Sequence, residues 1–222
     1  MTVKRRVLKV VLMGDGGVGK TSLRRRYLGQ GFKGSYNMTI GADFSIKRIG
    51  KNAIQIWDLA GQPGFNQIRK SYYYGAQGGI LVFDISKRES FRNIRVWINE
   101  FISNGKIGPL ILVGNKNDLR DSMNSADVVS HQEGVEISKK LSLELKCPVI
   151  YEESSAKNGF NVEKIFEELI SGMVGENNTI TEDETSKNKN SNLINVITTD
   201  ETIEKSDTKE KSIDDAENTT FT

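Results

Sequence analysis

The sequence predicts an α/β fold, a doubly wound and mostly parallel sheet with one antiparallel hairpin. Three observations carry this reading. Short apolar runs rich in Val, Ile and Leu recur at 7–13, 79–85, 110–113 and 148–151, and stretches of helical apolar period lie between them. A glycine loop joins the first run to the first helical stretch, and Gly50-Lys51-Asn52 separates two alternating segments. Strands alternating with helices build a sheet covered on both faces, and right-handed crossovers place ligand sites at the carboxyl ends of its strands.

Val7-Leu8-Lys9-Val10-Val11-Leu12-Met13 is short and β-branched, which reads as a buried strand. A helix begins near Thr21, with Leu23 and Tyr27 four apart. Helical spacing sends Arg24-Arg25-Arg26 outward, so these are expected on a solvated face. Gly29 to Gly41 has four glycines and no apolar period, and reads as a loop long enough to be functional. Ala42 to Ile49 alternates, with Phe44, Ile46 and Arg48 on one face, and Ile54, Ile56 and Leu59 continue the pattern after the break, giving the hairpin. Ala60 to Gly75 is a second loop-like stretch. Its Tyr72-Tyr73-Tyr74 run fits either core or an exposed partner surface.

Gly79 to Ile85 is the next strand, followed by one helical stripe through Phe91, Ile94, Ile98, Phe101 and Ile102. Leu110 to Val113 leads into Gly114-Asn115-Lys116-Asn117-Asp118. A helix with Ile137, Leu141 and Leu145 precedes the Pro148 to Tyr151 strand and Glu153-Ser154-Ser155-Ala156-Lys157. An amphipathic helix through Val162, Ile165, Phe166, Leu169, Ile170 and Met173 closes a domain of residues 1–175. Residues 176–222, rich in Asn, Thr, Ser, Glu, Asp and Lys, cannot bury enough apolar surface to offset ordering entropy, and are expected to form a disordered acidic tail.

Charge follows the same division. Residues 1–175 hold 26 Lys and Arg against 17 Asp and Glu, and residues 176–222 hold 5 Lys against 12 Asp and Glu, so the net +2 divides into +9 and −7. A single cysteine, Cys147, excludes an internal disulfide and points to a reducing compartment. With His131 the only histidine, no zinc cluster can form. The Lys4-Arg5-Arg6 start mimics a signal peptide but runs directly into a seven-residue strand containing Lys9. No run approaches the roughly 20 apolar residues of a membrane span, so a soluble, cytoplasmic protein is expected.

The chemistry sits at strand ends. Gly14-Asp15-Gly16-Gly17-Val18-Gly19-Lys20-Thr21 satisfies G-x-x-x-x-G-K-S/T between strand and helix, the context in which that motif binds phosphate. Its glycines let backbone N–H groups turn inward, and the helix N-terminus adds its positive end. Gly16, Gly17, Val18, Gly19, Lys20, Thr21 and Ser22 are the expected phosphate contacts, with Lys20 on the terminal phosphates and the Thr21 hydroxyl on Mg²⁺.

Asn115-Lys116-Asn117-Asp118 ends a strand on the same edge. The Asp118 carboxylate can accept two hydrogen bonds from the N1–H and N2–H₂ edge of guanine. Adenine would leave it unpaired, a mismatch that can reject the wrong ligand by about 10⁴ to 10⁵. Lys116 can lie over the base, Asn115 can tie the two loops together, and Ser155-Ala156-Lys157 adds a backbone N–H for the guanine O6. Asp58, ending the third strand before Ala60-Gly61-Gln62, can hold Mg²⁺ through water. The Gly61 N–H can bind the γ-phosphate and Gln62 can orient an attacking water.

These motifs, in this order and spacing, resemble the small Ras-like GTPases, and most closely their Rab-like branch, over residues 7 to about 174. The likeness rests on the phosphate loop, Thr39-Ile40-Gly41-Ala42-Asp43-Phe44, Trp57-Asp58-x-Ala60-Gly61-Gln62, Asn-Lys-x-Asp and Ser-Ala-Lys. It implies a P-loop G domain that binds GTP or GDP with Mg²⁺ and acts as a molecular switch, possible membrane traffic included. It implies that Thr39 ligates Mg²⁺ and senses the γ-phosphate, that Phe32 packs edge-on to the base, and that Tyr36 closes over the phosphates. It also implies that Gly16 leaves room for the transition state.

Partners implied are an activating protein, an exchange factor and effectors at the two switch loops, with the chain a monomer and no nucleic acid bound. Three residues depart from the pattern: Leu59 stands for Thr, Pro63 for Glu and Met38 for the Pro of Ras-type members. Leu59 and Pro63 motivate an alternative, a nucleotide-bound scaffolding module with little turnover, against which retention of Gln62 argues. Thr219-Thr220-Phe221-Thr222 offers no prenylatable cysteine and Met1-Thr2 no myristoylation site, so no covalent lipid anchor is expected and any membrane contact is peripheral.

Overall fold

The computed structural model of the chain describes residues 5–34, 38–106, 108–124 and 127–175. The acidic segment 176–222 therefore lies outside the described residues, as does the Leu193 to Ile197 patch within it. Six strands form one sheet: β1 (Val7–Met13), β2 (Ala42–Ile49), β3 (Asn52–Leu59), β4 (Gly78–Asp84), β5 (Leu110–Asn115) and β6 (Val149–Ser154). Their order is β2-β3-β1-β4-β5-β6, antiparallel only between β2 and β3. The hairpin register opposes Phe44 to Trp57 and Asp43 to Asp58.

Helices cover both faces: α1 (Lys20–Tyr27), α2 (Asn66–Tyr73), α3 (Arg88–Arg92), α4 (Ile94–Asn104), α5 (His131–Leu145) and α6 (Val162–Val174). Strand alternation divides the core. Val10, Leu12, Ile54, Ile56, Ile80 and Val82 pack against α1 and α6, where Tyr27 stacks on Phe166. Val11, Met13, Leu81, Phe83 and Leu112 face Tyr73, Trp97, Phe101 and Leu141 on the other side. Every residue of β4 is buried, as a central parallel strand requires.

Three sequence expectations change here. Ala60 to Gly75, read as a second loop-like stretch, folds into a 3₁₀ turn at Pro63–Phe65 followed by α2. The stripe from Phe91 to Ile102 is two helices, broken at Asn93, whose side-chain amide leaves the helix surface to reach Asp15 on the phosphate loop. The three tyrosines divide: Tyr73 is core, Tyr72 is half-buried and Tyr74 is 82% exposed. Local signals hold elsewhere, as at Ser130, which caps α5 in a reciprocal capping box with Glu133.

Candidate nucleotide-binding site

The phosphate loop runs from the end of β1 into α1. Gly19 caps the helix at φ 102°, a left-handed conformation that suits glycine, and a Cβ there would stand 2.2 Å from Asn115 Nδ2. That amide donates to the Val18 carbonyl at 2.8 Å. Asn115 Oδ1 in turn accepts from Ser154 Oγ and the Ala156 N–H, so one side chain ties three loops together.

Lys20 is buried, and its ammonium donates to the carbonyls of Gly14 and Asp15 at 2.6 and 2.8 Å. Burial lowers its pKa to about 8, against the opposing pull of Asp58 and Asp15. The loop's own carboxylate is held from outside: Asp15 accepts from Trp97 Nε1 at 2.7 Å and from Asn93 Nδ2 at 2.8 Å.

Asp58 lies at the end of β3 beneath this loop, fully buried, with no hydrogen-bond partner for either carboxylate oxygen. Burial raises its pKa, while Lys20 and the adjacent Thr21 hydroxyl pull it down. The Thr21 and Thr39 hydroxyls lie 3.0 Å apart. An orphaned buried carboxylate beside two hydroxyls is a set of hard oxygen donors, which suits Mg²⁺. Among the described residues no cluster of three His, Cys, Asp or Glu could hold a metal.

Gly61 packs so tightly on the phosphate loop that a Cβ would fall 2.4 Å from the Asp15 carbonyl carbon and 2.5 Å from the Gly16 nitrogen. Gln62 follows, its Nε2 3.3 Å from where a Gly16 Cβ would stand. Pro63 then opens a single 3₁₀ turn, Pro63–Phe65, at the position where a missing N–H costs nothing. Leu59 is fully buried in the core beside Tyr73 and Ile98.

At the other end of the cleft, Lys116 adopts φ 69° and its ammonium pairs with Asp84 at 2.6 Å. Asp118 accepts from Ser155 Oγ at 2.6 Å and lies 3.6 Å from Lys157 Nζ. The cleft itself encloses about 330 Å³. It is lined by Gly16, Gly17, Gly19, Lys20, Thr21, Ser22, Phe32, Thr39, Gly61, Gln62, Asn115, Lys116, Asp118, Ala156 and Lys157 of the expected set. Val18, Asp58 and Ser155 are buried and do not line the cleft; Tyr36 lies outside the described residues.

Sequence reasoning missed Arg25, Lys33, Gly34 and Leu119, which also line the cleft. It also misassigned the arginine run. Arg24 is buried, pairing with Asp43 and donating to Ser45, and Arg26 donates to the carbonyls of Ala156 and Lys157, holding the loop behind the base end. Only tertiary structure supplies those partners. Missed as well was Glu153, a buried carboxylate receiving Asn117 at 2.6 Å and Arg120, which fastens the Asn115–Asp118 loop to β6. Its position two residues before Ser155 was the available signal.

Comparison with known proteins agrees with this geometry. The Ras family model matches residues 9–174. The Ypt/Rab-type GTPase YPT7 of Saccharomyces cerevisiae is 35% identical over 189 residues, spanning 81% of this chain and 87% of its own length. The Ras-related protein RABD2b of Arabidopsis thaliana is 42% identical over 166 residues, spanning 72% and 77%. The Ras-related protein Rab7 of Prunus armeniaca is 39% identical over 173 residues, spanning 74% and 80%. The chain therefore belongs to the Ras family and is a GTPase of its Rab branch.

Proposed function

We propose that this protein is a guanine-nucleotide switch that hydrolyses GTP slowly, and that the segments around Thr39 and Gly61 report the nucleotide state to partners in membrane traffic. One observation carries the reading: a single cleft joins the phosphate loop, at Gly16 to Ser22, to Asp118 and Lys116 at its far end. A nucleoside triphosphate spans such a distance only if its base and phosphates are both recognised.

Asp118, oriented by Ser155, presents a carboxylate to the guanine edge, and Phe32 and the Lys116 stem bound the base. Lys20 leaves the Gly14 and Asp15 carbonyls for β- and γ-phosphate oxygens, whose negative charge favours its ammonium form. Thr21, Thr39 and Asp58 would hold Mg²⁺, directly or through water, and the ion supplies neutralising charge for the phosphate oxygens. The Gly61 N–H binds the γ-phosphate and Gln62 positions the attacking water. Loss of the γ-phosphate removes what Thr39 and Gly61 share, and both segments relax.

The partner surface lies between those segments, where Phe44, Trp57 and Tyr72 pack in series at 4.8 and 5.3 Å, flanked by exposed Ile40 and Ile68. No helix among the described residues is long and apolar enough to cross a membrane. Residues 1–175 form the working domain in this reading, with 176–222 an appendage that nucleotide binding does not need.

Single-turnover hydrolysis of GTP and ATP by the purified protein tests the proposal. GTP should be cleaved slowly, at about 10⁻⁴ s⁻¹, and slower still in Gln62→Leu, with ATP untouched. Equal use of ATP, or wild-type speed in Gln62→Leu, would overturn it.

A further inference from the structure

We infer that Arg25 is a ligand for the phosphate chain, contributed by α1 and additional to the phosphate loop. The inference rests on the nucleotide site proposed above and deepens it. Of three consecutive arginines, two are engaged: Arg24 with Asp43 and Ser45, Arg26 with the Ala156 and Lys157 carbonyls. Arg25 alone lines the cleft. Its Nε is buried without a hydrogen-bond partner, and no ion pair among the described residues includes it.

Helix geometry directs the side chain. Arg25 lies three residues after Ser22 and four after Thr21, so it shares their face. Helical side chains lean toward the N-terminus and cover the preceding turn, which here is the turn that opens on the phosphate loop. A guanidinium placed there can offer a fork of N–H donors to phosphate oxygens, the acceptors its buried Nε lacks.

The neighbours decide which phosphate. Lys20, Gly61, Gln62 and Thr39 gather at the terminal end of the chain. Arg25 is one helical turn on from Thr21 and Ser22, past the stretch of loop on which Gly61 and Gln62 pack, and it lines the cleft together with Phe32, Lys33 and Gly34. Arg25 therefore grips the α-phosphate and slows nucleotide release. Lys33 reinforces the local positive field without a comparable fork.

Competition binding of GDP, GMP and guanosine to wild-type protein, Arg25→Met and Arg25→Lys in Mg²⁺ buffer tests this. Arg25→Met keeps the apolar stem and should weaken GDP and GMP by about tenfold or more, the scale of one charge-assisted hydrogen bond. Guanosine should be unaffected, and Arg25→Lys should recover part of the loss. Unchanged GDP and GMP affinity in Arg25→Met would overturn the assignment while leaving the guanine site standing. An equal loss for guanosine would overturn it as well, by moving the role of Arg25 off the phosphates. Failure of the wild-type protein to bind GDP would remove the site and the inference together.

Discussion

Arg69 forms a bidentate ion pair with Glu100, Nε to Oε1 at 2.7 Å and Nη2 to Oε2 at 2.8 Å. Its remaining nitrogen donates to the carbonyls of Ala60 and Gln62, on either side of Gly61, at 3.1 and 2.8 Å. The guanidinium also lies over the Trp97 ring, and Trp97 holds Asp15. An arginine so engaged is a backbone clamp for the Ala60–Gln62 stretch rather than a cation free to swing into the cleft. A further cation for the proposed hydrolysis is thus expected from a partner rather than from Arg69.

Arg69→Met should destabilise the fold by about 3 kcal/mol, because Glu100, whose side chain is only 14% exposed, is left with Tyr73 as its side-chain partner. Adding Glu100→Leu should recover part of that loss, since no unpaired charge remains. Denaturant unfolding of Arg69→Met, Glu100→Leu and the double variant measures the steps; a double variant weaker than the wild type by the sum of the two single losses would refute the clamp as a coupled unit.

Gly61→Ala should leave GDP bound but abolish closure of the second switch segment. The added methyl has no space against the Asp15 and Gly16 backbone, and backbone cannot yield as a side chain does. Hydrogen exchange over residues 60–75 with GDP and with a non-hydrolysable GTP analogue reads this out. The wild type should show protection with the analogue that the variant lacks, and equal protection in both would contradict the packing argument.

How much of this was legible in the sequence depended on the range of the interaction. The phosphate loop, the hairpin and the Asn115 to Asp118 loop announce themselves through residues adjacent in the chain. Arg24 and Arg26 did not, because periodicity on an eight-residue helix cannot see Asp43 on β2 or the carbonyls at 156 and 157. The break at Asn93 was equally hidden, since apolar spacing runs through it unchanged and only Asp15 explains the amide there. Pro63 entered as a departure from the Glu of the family pattern. In the fold it takes the first position of a helical turn, where no N–H is needed.

Acid should weaken the fold in part through Glu133. A hydrogen bond from Arg88 at 2.8 Å, then one from the Ser130 N–H, hold its pKa down to about 2, below the usual 4.5. A carboxylate depressed in the folded state contributes stability above its unfolded value, and that contribution drains away as pH falls from about 4.5 towards 2. The pair is more than one-third exposed, so solvent screening keeps its contribution small. Unfolding of wild type and Glu133→Gln at pH 7 and at pH 3 should show a gap that narrows in acid; a constant gap would assign the effect to packing instead.

Base recognition is the central claim, and Asp118→Asn tests it most directly. In the proposed site the carboxylate would accept from the guanine edge, whereas an amide can also donate, as the carbonyl of xanthine at the same position requires. Displacement of labelled nucleotide by GDP and by xanthosine diphosphate should show a preference for GDP in the wild type and its reversal in Asp118→Asn. Unchanged affinity for GDP in the variant would contradict the account, because Asp118 would then lie outside the site.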